Sequence, residues 1–401
     1  LRDYFKLTGK PPLIPRYALG NWWNKNIAYT DKQIEELIEN FKFHNIPLSV
    51  LLLNKNWHIM HDGTSAGFTF NYNLIDNPKE LIDNLHDKNI HIGLNINPME
   101  GISPDEIAYS RFKQESKYEG EGIIPFNVYN PDMLNAYFDE LIKPLYDFGT
   151  DFFWIDYNNP KNISILRTLN RYHTDDFKRF YNKRPMILSR NGLIASHKYP
   201  ILYSGETIVS WKNLNLIPEF NSKSSNIGLS FWSHDIGGYK LGIEDPELYM
   251  RFVQLGTYSP ILRFSSDSSH YYKREPWLWD VKTYLIVKDY LNLRHRLIPY
   301  IYTESYKYSQ TGLPLIQPIY YRYPEIYDEL DYKNEYYFGS ELFISPITTK
   351  KDIIMNRTVQ RIFLPNGIWY DFKTGKKFTG GKRYVTFYED EDYPVFAKRG
   401  T

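Results

Sequence analysis

The stretch Thr150–Asn159, TDFFWIDYNN, decides the fold of this chain. Its four apolar residues, FFWI, are typical of a strand that is buried on both faces, and Asp156 follows them where such a strand ends. Parallel β/α proteins present catalytic groups at the carboxyl ends of buried strands. An isolated aspartate in this position is also compatible with a helix cap or a plain strand end. A second strand-like run, ending in YSGET, also carries an acid, Glu206, and this favours the catalytic interpretation.

The composition excludes several classes of function. The 401 residues carry a formal net charge of +1, which gives no case for binding to nucleic acid or to a membrane surface. There are no cysteines, so disulfides and cysteine-based metal or nucleophile chemistry are excluded, and a reducing compartment, the cytoplasm, is expected. No apolar run approaches the ~20 residues of a membrane span. Aromatic residues make up 17% of the chain, and the flat faces of Tyr and Trp suit carbohydrate surfaces as well as ordinary cores.

Strand-like runs and helical patterns alternate about eight times before residue 313. This alternation predicts a (β/α)8 barrel, in which polar side chains at the strand ends form one face. The predicted strands cover residues 16–23, 47–53, 90–96, 151–156, 185–189, 201–204, 226–232 and 260–264. The polar side chains expected at the strand ends are Asn54, Asn56, Asn97, Asp156, Arg190, Glu206, His234, Asp235 and Arg263.

The sequence pattern changes at Leu313, where short apolar runs begin to alternate with turn signals such as Pro365–Gly367. We therefore predict three segments. Residues 1–15 form a connector from a domain that precedes this chain, and residues 16–312 form the catalytic barrel. Residues 313–401 form a small β-sandwich, which stops just after a strand-like run as a truncated domain would.

Two acids at neighbouring strand ends, with no metal-ligand cluster, fit the hydrolysis of glycosidic bonds. One carboxylate attacks the anomeric carbon and the other protonates the leaving oxygen. We assign Asp156 as the nucleophile and Glu206 as the acid/base, with Arg190 available to hold a carboxylate ionised or to donate to a sugar hydroxyl. Divalent-metal binding is the alternative use of paired acids. We interpret His234 beside Asp235 as a structural pair, because no second histidine lies at zinc-ligand spacing.

The chain resembles glycoside hydrolase family 31, the α-glucosidase and α-xylosidase group, over nearly its whole length. The blocks that carry the resemblance are RYALGNWW, FFWIDYN, RPMILSR, YSGET, SNIGLSFWSHDIGGY, QLGTYSPILRF and KREPW. The resemblance implies a (β/α)8 barrel, a retaining double displacement, Asp156 as nucleophile and Glu206 as acid/base. It implies a sugar-binding subsite formed by Trp22, Asn54, Trp154, Arg190, Asp235, Tyr239, Arg263 and Ser265. It also implies β-sandwich domains before and after the barrel.

The sequence departs from the family pattern in several places. The acid/base of the family is usually an Asp, and Glu206 is longer by about one bond, although a misplacement near 1 Å can cost ~10²-fold in rate. Asn54 and Asn56 stand where the family usually has two Asp residues, which removes charge-assisted hydrogen bonds to sugar hydroxyls. Ser265 stands where a His usually follows the Arg of the last strand, and the segment 157–160, YNNP, replaces a more acidic continuation.

We therefore expect a retaining exo-α-glycosidase, α-glucosidase-like, that removes the non-reducing terminal sugar of short oligosaccharides. It needs no cofactor and no metal, and its partner is the oligosaccharide or α-glycoside substrate. A retaining mechanism predicts carboxyl groups about 5–5.5 Å apart. Two alternatives follow from the substitutions: a catalytically weakened or inactive carbohydrate-binding homologue, and an α-glycosidase of altered specificity for α-galactosides or α-xylosides.

Overall fold

The computed structural model describes residues 1–59, 66–156, 163–181, 183–190 and 194–401. The strands before residue 270 are β1 Asn21–Lys25, β2 Val50–Leu53, β3 His91–Ile96, β4 Phe152–Ile155, β5 Ile187–Arg190, β6 Leu202–Tyr203, β7 Ile208–Val209, β8 Trp232–Ile236, β9 Lys240–Gly242 and β10 Ile261–Ser266. Eight of them form a closed parallel barrel in the order β1-β10-β8-β6-β5-β4-β3-β2, and β7 pairs with β9. The predicted barrel is confirmed.

The α-helices are α1 Arg2–Thr8, α2 Asp31–Phe43, α3 Pro78–Asp87, α4 Tyr109–Glu115, α5 Pro131–Ala136, α6 Lys143–Asp147, α7 Ile163–Tyr181, α8 Trp211–Asn226, α9 Pro246–Thr257 and α10 Val281–Thr311. A π-helical segment, Tyr137–Ile142, joins α5 to α6. Capping side chains fix the first residues of two of these helices. Thr30 and Gln33 form a reciprocal capping box at α2, and Asn77 caps α3 immediately before a proline at its first position. No helix in the described ranges is both long and apolar enough to cross a membrane.

The strand β4 is buried along its whole length, as its uninterrupted apolar run predicts. Phe153 pairs with Leu94 on one side and with Ile187 on the other. The backbone N–H of Asp156 then donates to the carbonyl of Ile96 at 2.9 Å, which continues the ladder by one residue. The sheet therefore fixes where Asp156 leaves the barrel.

The chain divides into two compact units. Unit I comprises Trp22–Asn191 and Tyr199–Ser204. Unit II comprises Leu1–Asn21, Gly192–Lys198 and Gly205–Thr401. Asp156 belongs to unit I and Glu206 to unit II.

A β domain of antiparallel sheets follows the barrel segment, as predicted. Its strands are β11 Ile316–Pro318, β12 Tyr336–Phe338, β13 Leu342–Ile344, β14 Thr358–Leu364, β15 Ile368–Asp371, β16 Lys377–Thr379, β17 Lys382–Tyr388 and β18 Val395–Lys398. Six of them form one sheet in the order β11-β12-β13-β18-β15-β16, and β14 pairs with β17. Gly312, in the left-handed conformation at φ 78°, ends α10 just before this domain begins.

Unit II contains a fully buried guanidinium that is surrounded by carbonyl oxygens. Arg294 of α10 is fully buried and donates to the carbonyl oxygens of Leu19, Thr257, Ser259 and Pro260. Burial lowers its pKa to about 9. The contacts join the segment before β1 to the turn between α9 and β10.

Three sequence predictions differ from the structure. Residues 16–19 form a 3-10 turn, and β1 begins only at Asn21. The strand predicted over 226–232 is preceded by α8 and begins only at Trp232. The segment of α8 was missed because its apolar residues do not form a clear stripe and it contains Pro218, a helix breaker that is here tolerated inside a helix. His234, Asp235 and Arg263 lie within strands and not at strand ends, because β8 and β10 extend further along the chain than predicted.

Candidate active site

Asp156 stands at the carboxyl end of β4 beside an arginine. Its side chain is 35% exposed, and its Oδ1 lies 3.9 Å from Nε of Arg190, the last residue of β5. At that distance the two side chains form an ion pair, but the separation is too long for a hydrogen bond. Within the described part of the chain, this buried Nε has no hydrogen-bond acceptor. A carboxylate and an adjacent donor are therefore presented together at the edge of unit I.

An aromatic wall of unit I lies beside the same arginine. The guanidinium of Arg190 lies 5.3 Å from the ring centroid of Tyr203, in cation–π range. The Tyr203 ring meets that of Trp154 edge-on, with centroids 5.3 Å apart. Trp154 is buried, and its indole N–H has no acceptor among the residues described. Trp22, predicted to bind sugar, is fully buried in unit I, and its ring lies 5.3 Å from that of Phe152.

The two asparagines after β2 have local partners. The side chain of Asn54 accepts from the backbone N–H of Lys55 at 2.8 Å and caps a short 3-10 turn. Nδ2 of Asn56 donates to Oδ1 of Asn26 at 3.0 Å. The predicted sugar-binding role of Asn54 thus competes with a structural role as a cap.

Glu206 is paired with a lysine that sequence reasoning missed. Oε2 of Glu206 lies 2.6 Å from Nζ of Lys240, and the carboxylate is 37% exposed. The short β7–β9 ribbon sets this approach, since Lys240 is the first residue of β9. The backbone N–H groups of Tyr239 and Lys240 both donate to the carbonyl of Thr207, the residue after Glu206. Sequence spacing alone gives no signal for this contact.

A buried charged network supports the backbone next to Glu206. Arg263 donates from Nη2 to Oδ1 of Asp235 and from Nε to the hydroxyl of Ser233, each at 2.7 Å, and both charged side chains are fully buried. Burial raises the pKa of Asp235, against the lowering effect of Arg263 and of the hydrogen bond from Ser265. Oδ2 of Asp235 accepts from the backbone N–H of Thr207 at 3.2 Å. Three predicted sugar-binding residues, Asp235, Arg263 and Ser265, therefore interact with one another.

Arg274 is a second residue that sequence reasoning missed. It is fully buried and donates to the carbonyl oxygens of Gly237 and Gly238 at 2.9 and 2.7 Å and to Oε1 of Glu244 at 2.9 Å. These glycines precede Tyr239, whose hydroxyl has a pKa raised chiefly by burial. Arg274 therefore holds the loop that presents Tyr239 and Lys240. Its place in the block KREPW is the sequence signal that could have found it.

His234 has a structural role, but its partner is not the one predicted. Its Nε2 lies 2.8 Å from Oδ1 of Asn221, and burial lowers the pKa of its imidazole to about 3. Asp235, next in β8, bonds to Arg263 instead. The error arises because neighbouring residues of a strand point to opposite faces.

Two family models match the chain. The model described as the glycosyl hydrolases family 31 TIM-barrel domain covers residues 11–304, and the model of the family 31 C-terminal domain covers residues 312–401. Together they account for the barrel and the β domain.

Curated relatives align over the whole of this chain. They include an alpha-xylosidase of Saccharolobus solfataricus at 26% identity, alpha-glucosidase 2 of Bacillus thermoamyloliquefaciens at 26% and neutral alpha-glucosidase C of Homo sapiens at 27%. The alignment covers 57%, 54% and 47% of these proteins, respectively. The chain thus spans about half of the length of the relatives it matches.

Solved structures show the same fold. An alpha-xylosidase from a soil metagenome complexed with xylose superimposes with a TM-score of 0.85 at 21% identity, over 100% of this chain and 66% of that one. A dextranase of Flavobacterium johnsoniae complexed with glucose gives 0.85 at 22%, over 100% and 54%. The cycloalternan-degrading enzyme of Trueperella pyogenes in complex with cycloalternan gives 0.83 at 20%, over 99% and 62%.

Proposed function

The chain belongs to glycosyl hydrolase family 31, and from this membership we propose that it is the catalytic part of a retaining exo-α-glycosidase. The proposed substrate is an oligosaccharide with an α-linked sugar, glucose in the first instance, at its non-reducing end. Relatives named as alpha-glucosidases and alpha-xylosidases support the α-anomeric class. The cytoplasmic location stays a prediction from the absence of cysteine.

One observation carries the proposal: a carboxylate about one third exposed, Asp156, stands at the carboxyl end of a barrel strand with Arg190 beside it. Catalytic groups of (β/α)8 enzymes sit at this end of the strands. The cation of Arg190 lies beside Asp156 and provides a donor for a sugar hydroxyl. A partly exposed carboxylate beside a cation suits the nucleophile of a glycosidase.

The proposed reaction has two steps. In the first, a carboxylate oxygen of Asp156 bonds to the anomeric carbon while the glycosidic C–O bond breaks and Glu206 gives its proton to the leaving oxygen. In the second, Glu206 takes a proton from water, the water oxygen bonds to the anomeric carbon, and the ester bond to Asp156 breaks. Two inversions at one carbon give net retention of configuration.

The ion pair between Glu206 and Lys240 adds a condition to this mechanism. A general acid must present a proton to the leaving oxygen, whereas Oε2 of Glu206 is directed at Nζ of Lys240, 2.6 Å away. The acid role therefore requires Glu206 to leave Lys240 before the first step. Both side chains are more than one third exposed, so this rearrangement meets little steric resistance.

Hydrolysis of aryl α-glucoside, α-galactoside and α-xyloside by the full-length protein tests the proposal. We expect release of the phenol, with glucose preferred, and a loss of at least about 10³-fold in Asp156→Asn. Asp139→Asn, which changes an exposed helical aspartate, is the matched control and should retain the parent rate. Equal rates for the parent and Asp156→Asn would reject Asp156 as nucleophile, and a preference for xyloside or galactoside would reassign the sugar.

A second candidate, a carbohydrate-binding protein without catalysis, is favoured by one specific observation. Glu206 is engaged by Lys240 and Asn54 by its own turn, so two polar groups expected to act on substrate have protein partners. Calorimetry with maltose and isomaltose, combined with the aryl glycoside panel, separates the candidates. Saturable binding without turnover supports the binder, and turnover that depends on Asp156 excludes it.

A further inference from the structure

Outside the candidate active site, unit I contains a cluster of side chains with metal-ligating atoms, formed by His86, His91 and Asp151. Nε2 of His86 lies 2.9 Å from Oδ2 of Asp151, and Nδ1 of His91 lies 2.8 Å from Oδ1 of the same carboxylate. These nitrogen and oxygen atoms all lie within 4.8 Å of one another. Ligand atoms at 2.0–2.2 Å from a tetrahedral zinc are about 3.4 Å apart, so small side-chain adjustments suffice to enclose an ion.

Three separate elements supply the cluster. His86 lies in the last turn of α3, His91 is the first residue of β3, and Asp151 immediately precedes β4. The backbone N–H of Ile92 also donates to Oδ2 of Asp151 at 2.8 Å, which fixes the carboxylate in place. Partners that orient a carboxylate in this way are typical of metal ligands.

The cluster is distinct from the proposed catalytic residues. Asp151 precedes β4 and Asp156 follows it, and five residues of extended chain separate the two by about 16 Å at ~3.3 Å per residue. The cluster therefore lies at the amino-terminal ends of the barrel strands, where residues of (β/α)8 proteins serve stability.

We propose that His86, His91 and Asp151 bind one divalent transition-metal ion of the zinc, cobalt and nickel class. Two imidazole nitrogens and one carboxylate oxygen suit these borderline ions, whereas magnesium and calcium prefer oxygen ligands alone. The side chains of His86 and His91 are 34% and 31% exposed, so an ion can enter from solvent and keep water in its remaining positions. The bound ion joins the end of α3 to the starts of two barrel strands and stabilises unit I.

A hydrogen-bonded triad without metal is the competing explanation. In it, each imidazole donates its N–H to one oxygen of Asp151, and the network is complete by itself. The variant His86→Gln separates the two explanations. The glutamine amide can still donate to Asp151, but it is a poor ligand for a transition metal.

The decisive experiment is titration of the chelator-treated protein with Co²⁺, followed by visible absorption. We expect a saturable single-site spectrum that zinc abolishes, and a rise in Tm with Zn²⁺ that Mg²⁺ does not produce. Loss of an outer partner alone weakens metal binding about 10–100-fold, so His86→Gln should bind Co²⁺ at least about tenfold more weakly. His270→Gln, which alters an exposed histidine outside the cluster, is the control and should match the parent.

Two results would overturn the proposal. One is a parent protein that gives no saturable cobalt spectrum and no zinc-specific rise in Tm. The other is His86→Gln with the same cobalt affinity as the parent. If His86→Gln does not fold, the comparison of Zn²⁺ with Mg²⁺ on the parent protein decides the question by itself.

Discussion

Nζ of Lys240 lies 2.6 Å from Oε2 of Glu206, so the proposed acid/base of this chain is held in an ion pair by a residue on the neighbouring strand of a two-stranded ribbon. Glu206 is therefore positioned by a partner as well as by the barrel.

Replacement of Lys240 tests whether this ion pair restrains the acid. An exposed ion pair contributes roughly 0.2–1 kcal/mol, so we expect kcat of Lys240→Met to rise by up to about fivefold, because Glu206 no longer has to leave its partner. Lys240→Arg keeps the charge and should resemble the parent. A higher KM with unchanged kcat would instead show that Lys240 binds substrate.

Glu206→Gln tests the acid/base assignment directly. The amide can neither donate nor accept the required proton, so kcat/KM for oligosaccharides should fall by about 10²–10⁴-fold. Aryl glycosides with good leaving groups should lose less, because their first step needs little protonation. Added azide should restore turnover of these substrates by forming a glycosyl azide, since an anionic nucleophile needs no base. Failure of azide to help, with the first step intact, would contradict the role of Glu206 as base.

Arg263→Met removes the partner of a fully buried carboxylate. Uncompensated burial of Asp235 should lower the free energy of unfolding by about 3–5 kcal/mol, measured by urea denaturation. The double variant with Asp235→Leu should recover much of this loss, because both charges are then gone. Arg361→Met, which breaks an exposed ion pair with Asp331, is the control and should leave stability unchanged. Equal effects of the two arginine changes would refute the importance of burial.

His234 makes stability depend on pH in a predictable direction. Its pKa falls from 6.5 to about 3 on folding, so the unfolded chain binds a proton at acid pH that the folded chain does not. The contribution is fully present above pH 6.5 and is lost as the pH falls from there towards 3, at roughly 1 kcal/mol per pH unit. His234→Gln keeps a donor for Asn221 but does not titrate. Its free energy of unfolding should therefore decline less steeply over this window, and parallel curves would contradict the prediction.

Gly237 and Gly122 allow two reasons for a glycine to be compared: a positive φ, and a lack of space for a side chain. Both have positive φ, 96° and 75°, so a Cβ strains either one by about 1–2 kcal/mol. At Gly237 the added Cβ would also lie 2.5 Å from Nε of Arg274, whereas at Gly122 nothing lies within 4 Å. Gly237→Ala should therefore lower Tm more than Gly122→Ala, by thermal denaturation followed by circular dichroism. Equal shifts would show that Arg274 moves aside without cost.

Much of the fold was predictable because buried parallel strands leave a strong signal. The run before Asp156 is short, apolar and uninterrupted, and β4 lies there within one residue. The amphipathic pattern and the capping box of α2 can likewise be recognised in the sequence. The helix α8 could not be recognised, because its apolar residues are scattered and Pro218 interrupts them.

One pairing in the candidate site was predictable from the sequence, whereas the contacts made by its loops were not. Asp156 follows β4, Arg190 is the last residue of β5, and their side chains form an ion pair. The Lys240–Glu206 contact and the five hydrogen-bond acceptors of Arg274 depend on how loops fold, and no periodicity encodes them. The resemblance predicts that Asp235 binds sugar, and this stays a prediction; the pattern of the sequence did not show that its carboxylate accepts from Arg263 and from the backbone N–H of Thr207.

The carbonyl cage around Arg294 has a consequence for synthesis on the ribosome. Its contact with Leu19 spans 275 residues of sequence. Translation adds ~5–20 residues per second, so Arg294 is made roughly 15–55 s after the segment before β1. The segment before β1 is thus made well before the residue that secures it, and this contact forms only late in synthesis.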